Sequence, residues 1–341
     1  MSRIGLLGSK GTTLDFLHNF SMATGHEITH VIVLPGEHKA AAKVAFHSAD
    51  KIVAAAGDRY VHQARTYNLS APEDYAFFEE ASLDILFVLG WERLVPDAVL
   101  RTLRCGAYGM HGSSYGLPRG RGRSPMNWAI LQGHSHFTTS LFRYTPGIDD
   151  GDVVASQTFT IFPDDDIASL HTKNRVSMLR LVRFFLPSIL AGTLIHQPQS
   201  GETPTYYPKR TPDDGVIDWF RTSQEIVRLV RAVAPPYPAA FTHRGSQIVR
   251  IDACREFERS MFSSNIRPGE VLDFSPSTGN IIVKTGDGSL LITDWRSDTH
   301  FAPEVGAKLE SVGHRWTRAE LQARYNEIPH DEWEIREDLS P

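Results

Sequence analysis

Short apolar runs that alternate with helical stretches constrain this chain more than any other feature. Arg3–Leu7 ends in the turn G-S-K-G-T-T, and a helix is predicted over Thr13–Ala23, with Leu14, Phe16, Leu17 and Phe20 at helical spacing. Ile28–Leu34 is a β-branched run closed by Pro35-Gly36. Lys39–Thr66 is rich in alanine and reads as helical in pieces. Ile85–Leu89 is a third apolar strand, with a helix predicted over Pro96–Leu103. Strands and helices in this rhythm predict a Rossmann-like α/β domain, a parallel sheet with helices on both faces. Ligands of such sheets bind beyond the carboxyl ends of the strands. The Gly90–Val95 loop and the turn-rich segment around His111 both fall there.

The rhythm then changes. The longest helical segment covers Ile167–Leu190, and a polar linker over 194–212 separates it from a different pattern. A helix at Ser223–Val233 is followed by short strands at Gln247–Ile251, Gly269–Phe274, Ile281–Lys284 and Ser289–Ile292, divided by turns such as S-T-G-N and T-G-D-G. The expected organisation is an N-terminal α/β domain over 1–193 and a small β-rich domain over 213–341. The last thirty residues are charged and read as a helix at Thr317–Tyr325 with a loose tail.

Composition removes several function classes. Apolar content of 41% and charged content of 22% are those of an ordinary globular protein. No run of apolar residues reaches membrane-spanning length, and the first residues enter a strand directly, without a signal peptide. Cys105 and Cys254 stand far apart, which argues against a disulfide framework or a zinc site; no metal is expected, and a cytoplasmic setting fits. From Pro204 onward, 17 lysines and arginines face 21 aspartates and glutamates, a balance that disfavours a nucleic-acid partner.

The chemistry concentrates between Gly109 and Asp152. G-M-H-G-S-S-Y-G-L-P-R-G-R-G-R-S-P-M-N-W carries one histidine among glycines, serines and arginines, and T-P-G-I-D-D-G-D follows after an apolar strand at Thr138–Phe142. A histidine paired with an aspartate from a separate loop can move a proton while an amine attacks a carbonyl. The plainer alternatives are a structural histidine, a solvated acidic turn and solubilising arginines. Gly5, Gly8 and Gly11 have the wrong spacing for a dinucleotide loop, and no acid closes the second strand, so NAD is not expected.

This stretch resembles the formyltransferases that use 10-formyltetrahydrofolate, among them the amino-sugar and methionyl-tRNA enzymes. The family pattern N-x-H-x-S-L-L-P-x-x-R-G-x-x-P is met by His111, Leu117, Pro118, Arg121, Gly122 and Pro125, and its L-D-x-G loop by Ile148, Asp149 and Gly151. R-T-P-D-D-G-V-I-D-W (Arg210–Trp219) and R-A-V-A-P-P-Y-P-A-A-F (Arg231–Phe241) extend the likeness over roughly residues 1–290. The resemblance implies a formyltransferase domain followed by an OB-like barrel, and a formyl group moved from 10-formyltetrahydrofolate to an amine. It makes His111 the proton-handling residue and Asp149 its orienting partner. It places the folate donor against Arg93, Leu94, Val95, Tyr115, Gly116, Leu117, Pro118, Arg123, Thr145, Pro146, Gly147 and Ile148. R-G-R-S-P-M-N-W is closest to the aminoarabinose branch, so a nucleotide-linked amino sugar is the expected acceptor. Methionyl-tRNA is the runner-up, and a homodimer is left open.

Gly109 departs from the pattern. The family carries asparagine there, whose amide donates to the developing oxyanion, and losing one such donor typically costs about a hundred- to a thousand-fold in rate. Ser113, Ser114, Tyr115 or a water could substitute. A non-catalytic folate- or nucleotide-binding homologue is the other reading.

Overall fold

The computed structural model describes residues 2–36, 48–299, 301–312, 316–325 and 328–335. Contacts divide the chain into two units, one over 1–121, 138–159 and 172–204, the other over 122–137, 160–171 and 205–341.

The first unit is a seven-stranded sheet in the order β3-β2-β1-β4-β5-β7-β8. Ile4–Leu7 (β1), His30–Val33 (β2), Tyr60–Gln63 (β3), Ile85–Val88 (β4) and Gly106–Ser113 (β5) run parallel to their neighbours. His136–Arg143 (β7) pairs with β5 antiparallel, and Val153–Thr160 (β8) completes the edge. Side chains alternate between two cores, one on each face. Leu6, Val31, Val33 and Phe87 pack with Phe16 and Phe20, while Leu7, Ile32, Leu86 and Val88 pack with Phe78 and Trp91. A sheet covered on both faces needs strands that are apolar throughout, which is why β1, β2 and β4 carry so clear a sequence signal.

Gly11–Thr24 (α1), Ala49–Ala56 (α2), Pro72–Ala81 (α3) and Asp97–Leu100 (α4) surround this sheet. The fourth is shorter than the helix predicted over Pro96–Leu103. Of the Ala-rich stretch read as helical, 37–47 lie outside the described residues and Tyr60–Gln63 is a strand. Pro125–Leu131 (α5) belongs to the second unit, and Ile167–Ala191 (α6) supplies Met178, Val182 and Leu186 to the first core.

The second unit holds a five-stranded antiparallel sheet in the order β10-β11-β14-β13-β12, made by Ala240–Arg244 (β10), Gln247–Glu256 (β11), Val271–Phe274 (β12), Ile281–Lys284 (β13) and Ser289–Ser297 (β14). Ser223–Ala232 (α7) lays Ile226 and Val230 on its core, and its start is fixed by a capping box between Thr222 and Glu225. A separate aromatic cluster joins Trp128, Tyr206 and Tyr207 to Trp316, Leu321 and Tyr325 of the segment carrying Arg318–Tyr325 (α8). Part of the segment read from sequence as a loose tail packs here instead: Trp333 and Ile335 are buried, because their apolar area is better covered than solvated, while 336–341 lie outside the described residues. Two short strands complete the element order, Arg121–Gly122 (β6) and Tyr206–Tyr207 (β9). Among the described residues no helix is long and apolar enough to cross a membrane.

Candidate active site

His111 stands on a strand, not in the loop that its glycine-rich surroundings suggest. β5 pairs with β4 through Gly109 and with β7 as far as Ser113, which sets Gly109 opposite Phe142 and His111 opposite Ser140. With a period of two, Gly109 and His111 share one face of the sheet.

Both ring nitrogens of His111 have partners. Nε2 lies 2.8 Å from the Gly120 carbonyl oxygen. A carbonyl only accepts, so Nε2 carries a proton. Nδ1 lies 3.3 Å from Asp149 Oδ2. With Nδ1 also protonated the ring donates on both sides; with Nδ1 bare, its lone pair faces the carboxylate. The arrangement therefore has room for one more proton, on the nitrogen that faces Asp149.

Asp149 reaches this position from the turn Thr145–Gly151. Its φ of 50° is left-handed, a conformation that aspartate tolerates better than most residues. Thr145 Oγ1 donates to the Asp150 carboxylate within the turn. Gly151 is obligatory, because a Cβ there would come 1.7 Å from the Arg143 carbonyl oxygen. Gln199 clamps the turn from outside. Its Nε2 donates to the carbonyls of Asp149 at 2.7 Å and Gly151 at 2.8 Å, while its Oε1 accepts from Arg121 Nη2 at 2.6 Å. Gln199 lies in the stretch read as linker, where no periodicity or motif marks it. Arg121 is buried and braces the Asp149 turn through this one amide.

The remaining expected site residues are placed unevenly. Arg93 and Leu94 are exposed at the end of β4, whereas Val95 is sunk in the core. Tyr115 is exposed under the Arg119 guanidinium, 4.1 Å above its ring. Gly116 has a φ of 76°, Leu117 is half-buried and Pro118 is buried. In the Asp149 turn, Thr145 and Gly147 are half-buried and Pro146 and Ile148 exposed. Arg123 belongs to the second unit, where its N–H donates to the Tyr207 carbonyl at 3.1 Å. Ser113 Oγ is committed to the Arg119 carbonyl at 2.7 Å, and the buried Ser114 hydroxyl has no hydrogen-bond partner among the described residues.

Sequence reasoning missed one further residue on the His111 face. A Cβ on Gly109 would meet Tyr144 Cδ2 at 2.8 Å and Phe142 Cζ at 3.0 Å, so two aromatic rings fill the space an asparagine side chain would take. Burial, with the Asp149 charge adding to it, pushes the Tyr144 phenol well above its ordinary pKa.

Comparison with known proteins covers both units. A family model described as formyl transferase matches residues 3–179, and one described as formyl transferase, C-terminal domain, matches residues 209–300. Among solved structures, the chain resembles HypX from Aquifex aeolicus in complex with tetrahydrofolic acid, at 20% identity and a TM-score of 0.61 over 87% of this chain and 44% of that one. It therefore spans less than half of that protein's length. An N-formyltransferase from Helicobacter canadensis, in complex with folinic acid and dTDP-3-aminofucose, matches at 14% identity and a TM-score of 0.60, over 87% of this chain and all of its own. Methionyl-tRNA formyltransferase from Clostridium thermocellum matches at 16% identity and a TM-score of 0.52, over 79% of this chain and 97% of its own. At these identities the structural likenesses speak to the fold.

Proposed function

The chain belongs to the formyl transferase family, and from that premise we propose that it moves a formyl group from 10-formyltetrahydrofolate to the amine of a nucleotide-linked amino sugar. The observation that carries the reading is the His111–Asp149 pair, held by the Gln199–Arg121 brace on the same unit as the exposed Leu94 and Ile148. Such a set suits a folate: apolar side chains for a flat ring, backbone groups for its polar edge, and a proton-handling pair.

The folate supplies an activated formyl carbon, and this chain's residues manage charge and proton around it. As an amine attacks, it must shed a proton. His111 accepts it: the new Nδ1–H points at the Asp149 carboxylate and turns a lone-pair repulsion into a charge-assisted hydrogen bond. Gln199 keeps Asp149 aimed by holding its carbonyl, with the carboxylate turned to the ring.

Two observations favour a small acceptor over tRNA. The chain from Pro204 onward carries more acids than bases, 21 against 17, which repels a polyanion. The Helicobacter canadensis relative is described as bound to a dTDP-amino sugar. The test is tetrahydrofolate release from 10-formyltetrahydrofolate with dTDP- and UDP-linked amino sugars and, separately, with methionyl-tRNA. Turnover with an amino sugar supports the reading. Turnover with tRNA alone replaces the acceptor, and saturable folate binding without turnover on any amine would mark a binding protein.

A further inference from the structure

The face that carries His111 holds a phenol that the proposed chemistry leaves unused. Tyr144 continues β7 beyond Arg143, its N–H donating to the Ala107 carbonyl at 2.8 Å. The pleat therefore turns its ring to the side shared by Gly109 and His111. The ring stacks on Phe142, centroids 6.0 Å apart, and closes on Gly109 so tightly that no Cβ fits beneath it. Gly109 does not occupy the left-handed region, so glycine is required here for space alone.

The hydroxyl donates to the Arg93 carbonyl at 3.2 Å, a long bond at an exposed position of the loop after β4. Water can take over that carbonyl when the hydroxyl turns away, and a bond of this kind contributes only about 1 kcal/mol net. Burial and the Asp149 charge together keep the phenol protonated, hence a donor. It is a protonated donor on a fixed ring, within the field of the Asp149 carboxylate and on the face of its histidine partner.

We propose that the Tyr144 hydroxyl is a catalytic hydrogen-bond donor, turning from the Arg93 carbonyl to the formyl oxygen as that oxygen gains charge. The inference rests on the formyl-transfer reading. In that reaction the amine lone pair forms the new bond to the formyl carbon, and the carbonyl π pair moves onto oxygen. Tyr144 shares its proton with that oxygen without giving it up. The amine's proton goes to His111. When the pair returns, the bond from the carbon to the folate nitrogen breaks and its electrons stay on that nitrogen. His111 returns the proton there, leaving tetrahydrofolate and a neutral ring. A donor already aimed at the charged oxygen lowers the barrier without reorganisation.

Tyr144→Phe keeps the ring over Gly109 and removes only the hydroxyl, and Gly109→Ala keeps the hydroxyl but displaces the ring. Three measurements apply to each variant and to the unmodified protein: kcat and KM for tetrahydrofolate release, fluorescence titration with a non-transferable formyl-folate analogue, and the thermal midpoint. The expected result for Tyr144→Phe is a kcat lowered about a hundredfold, with analogue affinity within threefold and the midpoint nearly unchanged. Gly109→Ala should lose rate in the same direction; should it fail to fold, Tyr144→Phe decides alone. A Tyr144→Phe kcat within threefold of the unmodified protein, or a loss confined to analogue affinity, overturns the proposal. No turnover by the unmodified protein on any amine overturns the formyl-transfer reading and this inference with it.

Discussion

Asp149 in the first unit and Asp214 in the second each sit against a cationic or proton-accepting side chain, among aromatic rings, yet their surroundings have little else in common. Asp214 is almost wholly buried and saturated. It accepts from both terminal nitrogens of Arg324 at 2.8 Å, from Trp316 Nε1 at 3.1 Å and from the Thr211 N–H at 2.5 Å. Its own carbonyl accepts from Arg210, whose guanidinium lies over Trp128 at 4.9 Å, while that of Arg324 lies over Trp316 at 4.1 Å. Asp149 keeps about a fifth of its side chain open and lies 3.3 Å from His111 Nδ1. A buried charge must have its partners complete or it destabilises the fold. A carboxylate that, in the proposed reaction, steadies a histidine as it takes up and releases a proton has no need of so complete a set. Of the two carboxylates, Asp149 is the one that stays partly open.

The comparison breaks most sharply at His111. His111→Asn should lower turnover at least a thousandfold, roughly 4 kcal/mol in the barrier, with the thermal midpoint shifting by only a few degrees. Rates within tenfold of the unmodified protein would mean that the open pair is not the reacting one. Asp214→Asn should give the reverse pattern. It strands Arg324 in a half-buried position and should cost about 3 kcal/mol of unfolding free energy in urea titrations, with analogue binding retained wherever the protein is folded. An unchanged midpoint would mean that the aromatic cluster does not depend on its carboxylate.

Legibility in the sequence followed the same divide between what burial dictates and what tertiary packing decides. β1, β2 and β4 were readable because a strand covered on both faces has to be apolar at every position. β13 was readable as I-I-V-K between two turns. β5 was not: G-A-Y-G-M-H-G-S has the glycines and small residues of a loop, and only its neighbours β4 and β7 make it a strand. β3, Y-V-H-Q, lacks an apolar signal for the same reason, standing at the sheet edge with no buried residue. At the site, the motif brought His111 and Asp149 forward and the structure places them together. Gln199 and Tyr144 had no local signature, since their roles depend on contacts about fifty residues away and on a glycine's missing side chain. Gly109→Asn sharpens that lesson. Read from the motif alone, the change should help or be neutral. With Tyr144 Cδ2 at 2.8 Å from the added Cβ, it should instead overpack the face, costing about 1–3 kcal/mol of stability and lowering turnover. A stable, faster Gly109→Asn protein would show that the aromatic pair yields easily.

The smallest effect is invisible at neutral pH. Cys254, packed against the core of the second unit, has its thiol pushed by burial up to about 12, and Tyr108 in the first unit is pushed by burial to about 12 as well. Both groups hold their protons more tightly folded than unfolded. The stability they contribute is therefore complete below the unfolded thiol and phenol values, and is lost as pH rises towards 12. Unfolding free energy should stay level to about pH 9 and then fall. Cys254→Ala should flatten part of that slope without touching turnover at pH 7, because a neutral thiol in apolar surroundings acts as a small apolar group. Tyr144, whose phenol also stays protonated, titrates on the face of the reacting pair and not in a sealed core. Its signature should appear in kcat above pH 10 and be absent from Tyr144→Phe. An alkaline loss of kcat that follows unfolding in both proteins would erase the distinction between a group held for chemistry and one held for packing.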